Sequence, residues 1–230
     1  MVSAFERFFD DAAIFPPGNA PLDVAVKAHL DRASTADARY VGPFVCDEAR
    51  LPALADLLTE PLDVVVVGQP SVACDRGTGE RVGAREWQGS LIRVVSTEGP
   101  VGSTAVEKAW GSGFEVPDGS ILKLRCGGDY VPTVCELTEA IRFCVDHAQP
   151  FKLTAGLHAA IATEHAHGFV NIMAAVVAAM NGKDPAPVLM AWADEIDMST
   201  VGESRRLFRS IGTCDIDGPL TDLRVLGLIP

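Results

Sequence analysis

Two short stretches carry the residue types that could do chemistry. One reads Ile121-Leu122-Lys123-Leu124-Arg125-Cys126-Gly127-Gly128 and the other Phe151-Lys152-Leu153-Thr154-Ala155-Gly156-Leu157-His158. Side chains alternate between faces along a strand, so leucine and phenylalanine on one face put Lys123, Arg125 and Lys152 together on the other. If the two strands are neighbours, about 4.8 Å separates them and the lysines lie side by side. Cations crowded into a dry place are costly unless carboxylates or an anionic ligand meet them. Glu98, closing Val94-Val95-Ser96-Thr97-Glu98, and Glu115, in Phe114-Glu115-Val116, are the acidic candidates on preceding strands. A lysine whose pKa falls beside other cations offers a free amine, which imine chemistry requires. The same residues could instead make an ion network inside the fold, without chemistry, but the Gly-bearing turns that end both cationic runs favour a ligand.

Other groups cluster near the ends of these runs. His158 follows the second cationic run, where an imidazole can move protons near neutral pH. Gly156 and Gly212 mark turns at which an anion could approach the backbone, and Arg125 could grip it as a planar fork. Cys214, beside Gly212-Thr213, is either a reactive thiol or a small apolar side chain. Asn171 falls on the first turn of an apolar helix, to bind substrate or to satisfy backbone groups. His165 and His167, with His158, Glu98 and Glu115, form an alternative set for a divalent metal; otherwise no cofactor is expected. Asp10 and Asp11 precede the first expected strand and either enter the pocket mouth or, the favoured reading, solvate the N-terminus.

These residues need a scaffold that brings strand ends to one face. Eight short runs read as strands: residues 12–15, 40–45, 62–67, 91–96, 113–116, 121–125, 151–154 and 210–214. Helical patterns cover residues 21–31, 47–58, 133–147 and 168–181. Thr133 and Glu136 form a capping box, and Pro21 suits a first helical turn. Eight strand–helix units in 230 residues predict one (β/α)8 barrel over residues 1–230, irregular in its third and fifth units, with its site on the C-terminal face. Gly77-Thr78-Gly79 with Gly83 misses the dinucleotide-binding glycine spacing and reads as a turn.

The lysines on the sixth and seventh runs make residues 121–160 similar to deoxyribose-phosphate aldolase and related class I aldolase barrels. That resemblance implies Lys123 as the imine-forming nucleophile and Lys152 as the cation that lowers its pKa. It departs from the family where Lys123-Leu124-Arg125-Cys126-Gly127 stands for Lys-Thr-Ser-Thr-Gly, and Ala155-Gly156 for Gly-Gly. A second resemblance, to actinobacterial proteins of about this length, covers residues 10–20, 152–158 and 167–171 and carries no activity.

Thirty-one acidic against 19 basic side chains give a net charge of −12, which repels nucleic acid and anionic membranes. Six cysteines without a CxxC pair argue against a zinc ribbon. Glu6, Arg7, Asp10 and Asp11 interrupt any signal-like core, and the apolar run 169–180 is too short to span a bilayer, so a cytoplasmic protein is expected. The expected partner is a small anionic metabolite. Self-association suits so compact a barrel, though no segment marks an interface. The leading expectation is a lyase or isomerase acting on a small anionic carbonyl compound through a lysine imine or an enolate. The alternatives are a metal-dependent lyase or hydrolase and a non-catalytic protein that binds an anionic metabolite.

Overall fold

The computed structural model describes residues 4–68, 91–99 and 102–230, together with the backbone of residues 85–86. Eight parallel strands close into a barrel: β1 (Phe9–Asp11), β2 (Val41–Asp47), β3 (Leu62–Val67), β5 (Ile92–Gly99), β6 (Ala105–Glu107), β7 (Ile121–Arg125), β8 (Phe151–Thr154) and β9 (Phe208–Thr213). Each pairs with the next, β3 with β5, and β9 returns to β1. The two-residue β4 (Arg85–Glu86) adds antiparallel to the start of β5. Closure leaves the eight barrel strands without a free edge.

Helices pack outside wherever the connection is long enough. α1 (Leu22–Ala33) follows β1 and buries Ala25, Val26 and His29. α3 (Val134–Asp146) follows β7 and starts on the expected Thr133–Glu136 capping box. α4 (Phe169–Met180) follows β8, and its strongly apolar sequence is buried on several sides against α3, a four-residue α5 (Ala186–Leu189) and a 3-10 turn over Val201–Arg206. α6 (Asp217–Val225) follows β9. The expected helix over 47–58 is a 3-10 turn, Glu48–Arg50, leading into α2 (Leu51–Leu57), with Pro52 at its first turn, where a missing N–H costs nothing.

Two strands differ from the sequence expectation. The first is Phe9–Asp11, and residues 12–15 turn away after it. The fifth barrel strand is Ala105–Glu107; residues 113–116 lie in the connection that follows it, between Gly113, at φ +84°, and Pro117. The expected third connection, residues 69–89, lies outside the described residues apart from the backbone of 85–86. No helix among the described residues is long and apolar enough to cross a membrane.

The outward faces of the strands make two apolar clusters under the helices. One gathers Phe9, Leu122, Leu124, Phe151, Leu153 and Ile211 with α3 and α4; the other gathers Phe44, Cys46, Val64, Val66 and Ile92 with α1 and α2. The leucines beside Lys123 therefore face the helices, as the two-residue period requires, and the charged positions face the lumen.

Candidate functional site

Five ionisable side chains meet inside the barrel. Lys123 and Lys152 are partners in the β7–β8 register, and Glu107 is the register partner of Lys123 across β6–β7. Lys152 Nζ donates to Asp10 Oδ2 at 2.6 Å and to Glu98 Oε1. Lys123 Nζ lies 2.8 Å from Glu98 Oε2 and 2.9 Å from Glu107 Oε2. β5 and β8 are separated by β6 and β7, so Glu98 can reach Lys152 only across the lumen. The result is a chain of alternating charge: Asp10, Lys152, Glu98, Lys123, Glu107. Ser210 Oγ, from β9, donates to Asp10 Oδ2 at 2.8 Å. Gly42 on β2 makes room at this end: a Cβ there would collide with Asp10 Oδ1.

Burial and charge compete along the chain. Burial would raise Glu98, but Lys152 and Lys123 outweigh it and hold the carboxyl at about 2. Burial would lower Lys152, yet Asp10 and Glu98 keep its ammonium above the usual lysine value. At Asp10 burial prevails over Lys152 and holds the carboxyl above its usual value. Three carboxylates face two ammoniums, and Asp10 is the acid that the surroundings most favour in its protonated form. The expectation that cations lie directly against one another gives way to a different arrangement, in which the Glu98 carboxylate separates the two amines. Exposure also differs along the chain. The Lys123 side chain is 4% exposed, whereas its partner Glu107 is 33% exposed, so the Lys123 amine stands one carboxylate away from solvent.

Above this chain, strand ends bring a second group together. His158 Nδ1 is 3.3 Å from Thr213 Oγ1, and its Nε2 is 4.0 Å from Cys214 Sγ. His158 and Cys214, expected near the mouth, are thus partners there. Gly212 faces Thr154, whose Oγ1 would stand 2.8 Å from an added Cβ. Gly156 takes φ +70° and packs against Gly127 and the Cys126 carbonyl, so its freedom serves the crossing of two backbones. Arg125 is exposed at the end of β7, where its carbonyl accepts from Trp110 Nε1 at 2.6 Å.

Several candidates stand apart from the lysines. Glu115 is exposed on the connection after β6, and the inward carboxylate of that strand is Glu107. Asn171 is fully buried: its Oδ1 accepts from Ala162 N at 2.8 Å, and its Nδ2 donates to Val188 O and Ala191 O. All its polar atoms serve backbone groups, which ties a loop to α4. His167 is hydrogen-bonded through Nε2 to Pro132 O at 2.7 Å, and His165 is exposed. Among the described residues, no group of three or more His, Cys, Asp or Glu side chains is placed to hold a metal ion. Asp10 and Asp11 are both buried; Asp10 joins the charge chain, and Asp11 receives His29 Nδ1 at 2.9 Å on the helix side. The five described cysteines are free, and burial pushes the thiols of Cys46, Cys126 and Cys144 up to about 12.

The sequence reading missed Asp10, Glu107 and Ser210. Asp10 carried little signal, since Phe8-Phe9-Asp10-Asp11 lacks the alternation of a strand. Glu107 had only Ala105-Val106 before it, too little to mark a strand. Comparison with family models, with curated proteins and with solved structures finds no match for this chain.

Proposed function

We propose that this barrel is an enzyme acting on a small carbonyl compound, an aldolase-like lyase or an isomerase, with Lys123 as the nucleophilic amine. The observation that carries the reading is the position of Lys123 Nζ between buried Glu98 and partly exposed Glu107. Buried Glu98 holds one side of the amine, and on the other Glu107 is a carboxylate that can take its proton and exchange it with solvent, the deprotonation that imine formation requires. Lys152 is a poor nucleophile by comparison, because Asp10 and Glu98 hold it as an ammonium.

The step balances as follows. Lys123 passes one proton to the Glu107 carboxylate and its free amine attacks the carbonyl carbon, forming a carbinolamine. After a proton shifts from nitrogen to oxygen, the carbinolamine hydroxyl leaves as water, taking back the proton that Glu107 accepted from Lys123. The cationic imine that forms draws electrons from the adjacent carbon, so a carbon–carbon bond can break there or a proton can leave. Water then hydrolyses the imine and restores the amine. Arg125, exposed at the end of the same strand, suits the acid group of an anionic substrate.

Reversible imine formation replaces a carbonyl oxygen with one from water. Incubating the protein with short 2-oxo acids and phosphorylated aldehydes in 18O-labelled water tests the reading. Enzyme-dependent exchange that is lost in Lys123→Met and kept in Glu115→Gln is expected. Exchange no faster than in buffer across the panel would overturn it.

A second reading, a lumen ion network without chemistry, is favoured by the double pairing of each amine with two carboxylates. Buried networks of this kind also perturb pKa values, so the perturbation alone does not separate the two.

A further inference from the structure

Apart from the lysines, the loops after β8 and β9 bring a thiol, an imidazole and a hydroxyl together. His158 Nε2 stands at hydrogen-bond distance for sulfur, 4.0 Å, from Cys214 Sγ, and its Nδ1 is 3.3 Å from Thr213 Oγ1. A nucleophile, a base and a group that orients the base are the parts of an activated side chain. Each is fixed by its own surroundings. Thr213 Oγ1 donates to Asp215 O at 2.8 Å and accepts from Asp215 N at 3.3 Å, so its hydroxyl clamps the turn around Cys214. Asp215 in turn caps α6, its Oδ1 accepting from Asp217 N at 3.0 Å and from Gly218 N at 3.3 Å. A Cβ on Gly18 would stand 3.0 Å from Cys214 Cβ, so the loop after β1 packs on the stem of that side chain. His158 follows Leu157, which is buried in the apolar cluster and anchors its loop.

The other described cysteines have different surroundings. Cys46, Cys126 and Cys144 are buried, and burial pushes their thiols up to about 12. Cys135 is exposed, and its Sγ faces the Glu139 carboxylate at 3.8 Å. Among the described cysteines, Cys214 is the one that is both half-buried, with part of its surface open to solvent, and paired with an imidazole. The proton between them can sit on sulfur or on Nε2, and the pair yields a thiolate from either state.

We propose that Cys214 is a nucleophilic thiol served by His158, and that hydrogen peroxide oxidises it to a sulfenic acid. The imidazole holds the thiol proton while the sulfur attacks one peroxide oxygen, and the S–O bond forms as the O–O bond breaks. The departing hydroxide takes the proton from His158 and leaves as water. Sulfur loses two electrons and the peroxide gains them. No step uses Lys123 or Lys152, so this site stands or falls separately from the imine reading.

Trapping of sulfenic acid with dimedone in the full chain at low hydrogen peroxide, resolved by peptide mass spectrometry, tests the site. Cys214 is expected to be trapped about tenfold or more faster than the exposed Cys135, as a positioned base implies. His158→Gln should slow Cys214 by about tenfold and leave Cys135 unchanged. Thr213→Ser should keep the Cys214 rate, and Thr213→Val, which loses the hydroxyl, should lower it several-fold. The thiols of Cys46, Cys126 and Cys144 report folding, since they stay unlabelled while the barrel is intact. Cys214 trapped no faster than Cys135, or a Cys214 rate unchanged by His158→Gln with the buried thiols silent, would overturn the proposal. Comparing the two thiols in the parent protein needs no variant, so it decides the question even where a substitution unfolds the chain.

Discussion

Lys123 and Lys152 face each other in the register of β7 and β8, and each holds one oxygen of the same carboxylate, Glu98. Two like charges on adjacent strands are stable here because an anion from β5 reaches between them. The pairing is also unequal. Lys152 completes its coordination with Asp10, which is buried, whereas Lys123 completes its own with Glu107, which is one-third exposed. That inequality gives two identical side chains different surroundings.

Removing the shared carboxylate should be expensive. Glu98→Gln keeps the shape but leaves two buried ammoniums short of a counter-charge. Breaking a buried pair from one side costs about 3–5 kcal/mol. Glu115→Gln, at an exposed position, should stay within about 0.5 kcal/mol of the parent. Urea denaturation at pH 7 measures both; equal stability of the two variants would contradict the geometry.

The parent and Glu98→Gln also give a pH test. The Glu98 carboxyl is held at about 2 in the folded chain against 4.5 when free, so its stabilisation is present above pH 4.5 and lost as pH falls toward 2. The gap in unfolding free energy between the parent and Glu98→Gln should therefore close across that window. Asp10 acts in the opposite sense: its raised value adds stability at low pH that fades as pH rises through its folded value. Because Glu98 helps to raise Asp10 and both pair with Lys152, the Asp10 contribution shrinks in Glu98→Gln and the gap reports the coupled pair. A gap that stays constant from pH 6 to pH 2.5 would contradict the assignment.

Asn171 should behave as a packing residue. Asn171→Ala strands Ala162 N, Val188 O and Ala191 O without their side-chain partners, and an unsatisfied buried group costs about 1–3 kcal/mol. A loss of at least about 2 kcal/mol in thermal or urea unfolding is expected. Unchanged stability would return Asn171 to the list of ligand-facing groups.

Much of this arrangement was legible before the structure. The alternation Leu122-Lys123-Leu124 and Phe151-Lys152-Leu153 fixes which side chains enter the lumen, since one residue of slip would expose every leucine to it. The parallel barrel follows from the number of short strands and the helices between them. What could not be read was which carboxylates cross the lumen. That depends on closure of the sheet, which puts Glu98 opposite Lys152 although 54 residues separate them. Strands of three residues, β1 and β6, are also nearly silent in sequence: Asp10 looked terminal and Glu107 looked like loop, while Glu115, in a more strand-like run, took its place. Gly156 had a clear turn signature, but the partner it makes room for is another backbone, which only tertiary packing reveals.

The central claim is that Lys123 is the amine that meets substrate. Cyanoborohydride reduction in the presence of short oxo acids and phosphorylated aldehydes, followed by peptide mass spectrometry, asks this directly. The account predicts one substrate-derived adduct per chain, on Lys123, absent from Lys123→Met and formed without modification of Lys152. An adduct on Lys152 with Lys123 unmodified, or turnover that survives Lys123→Met, would contradict it.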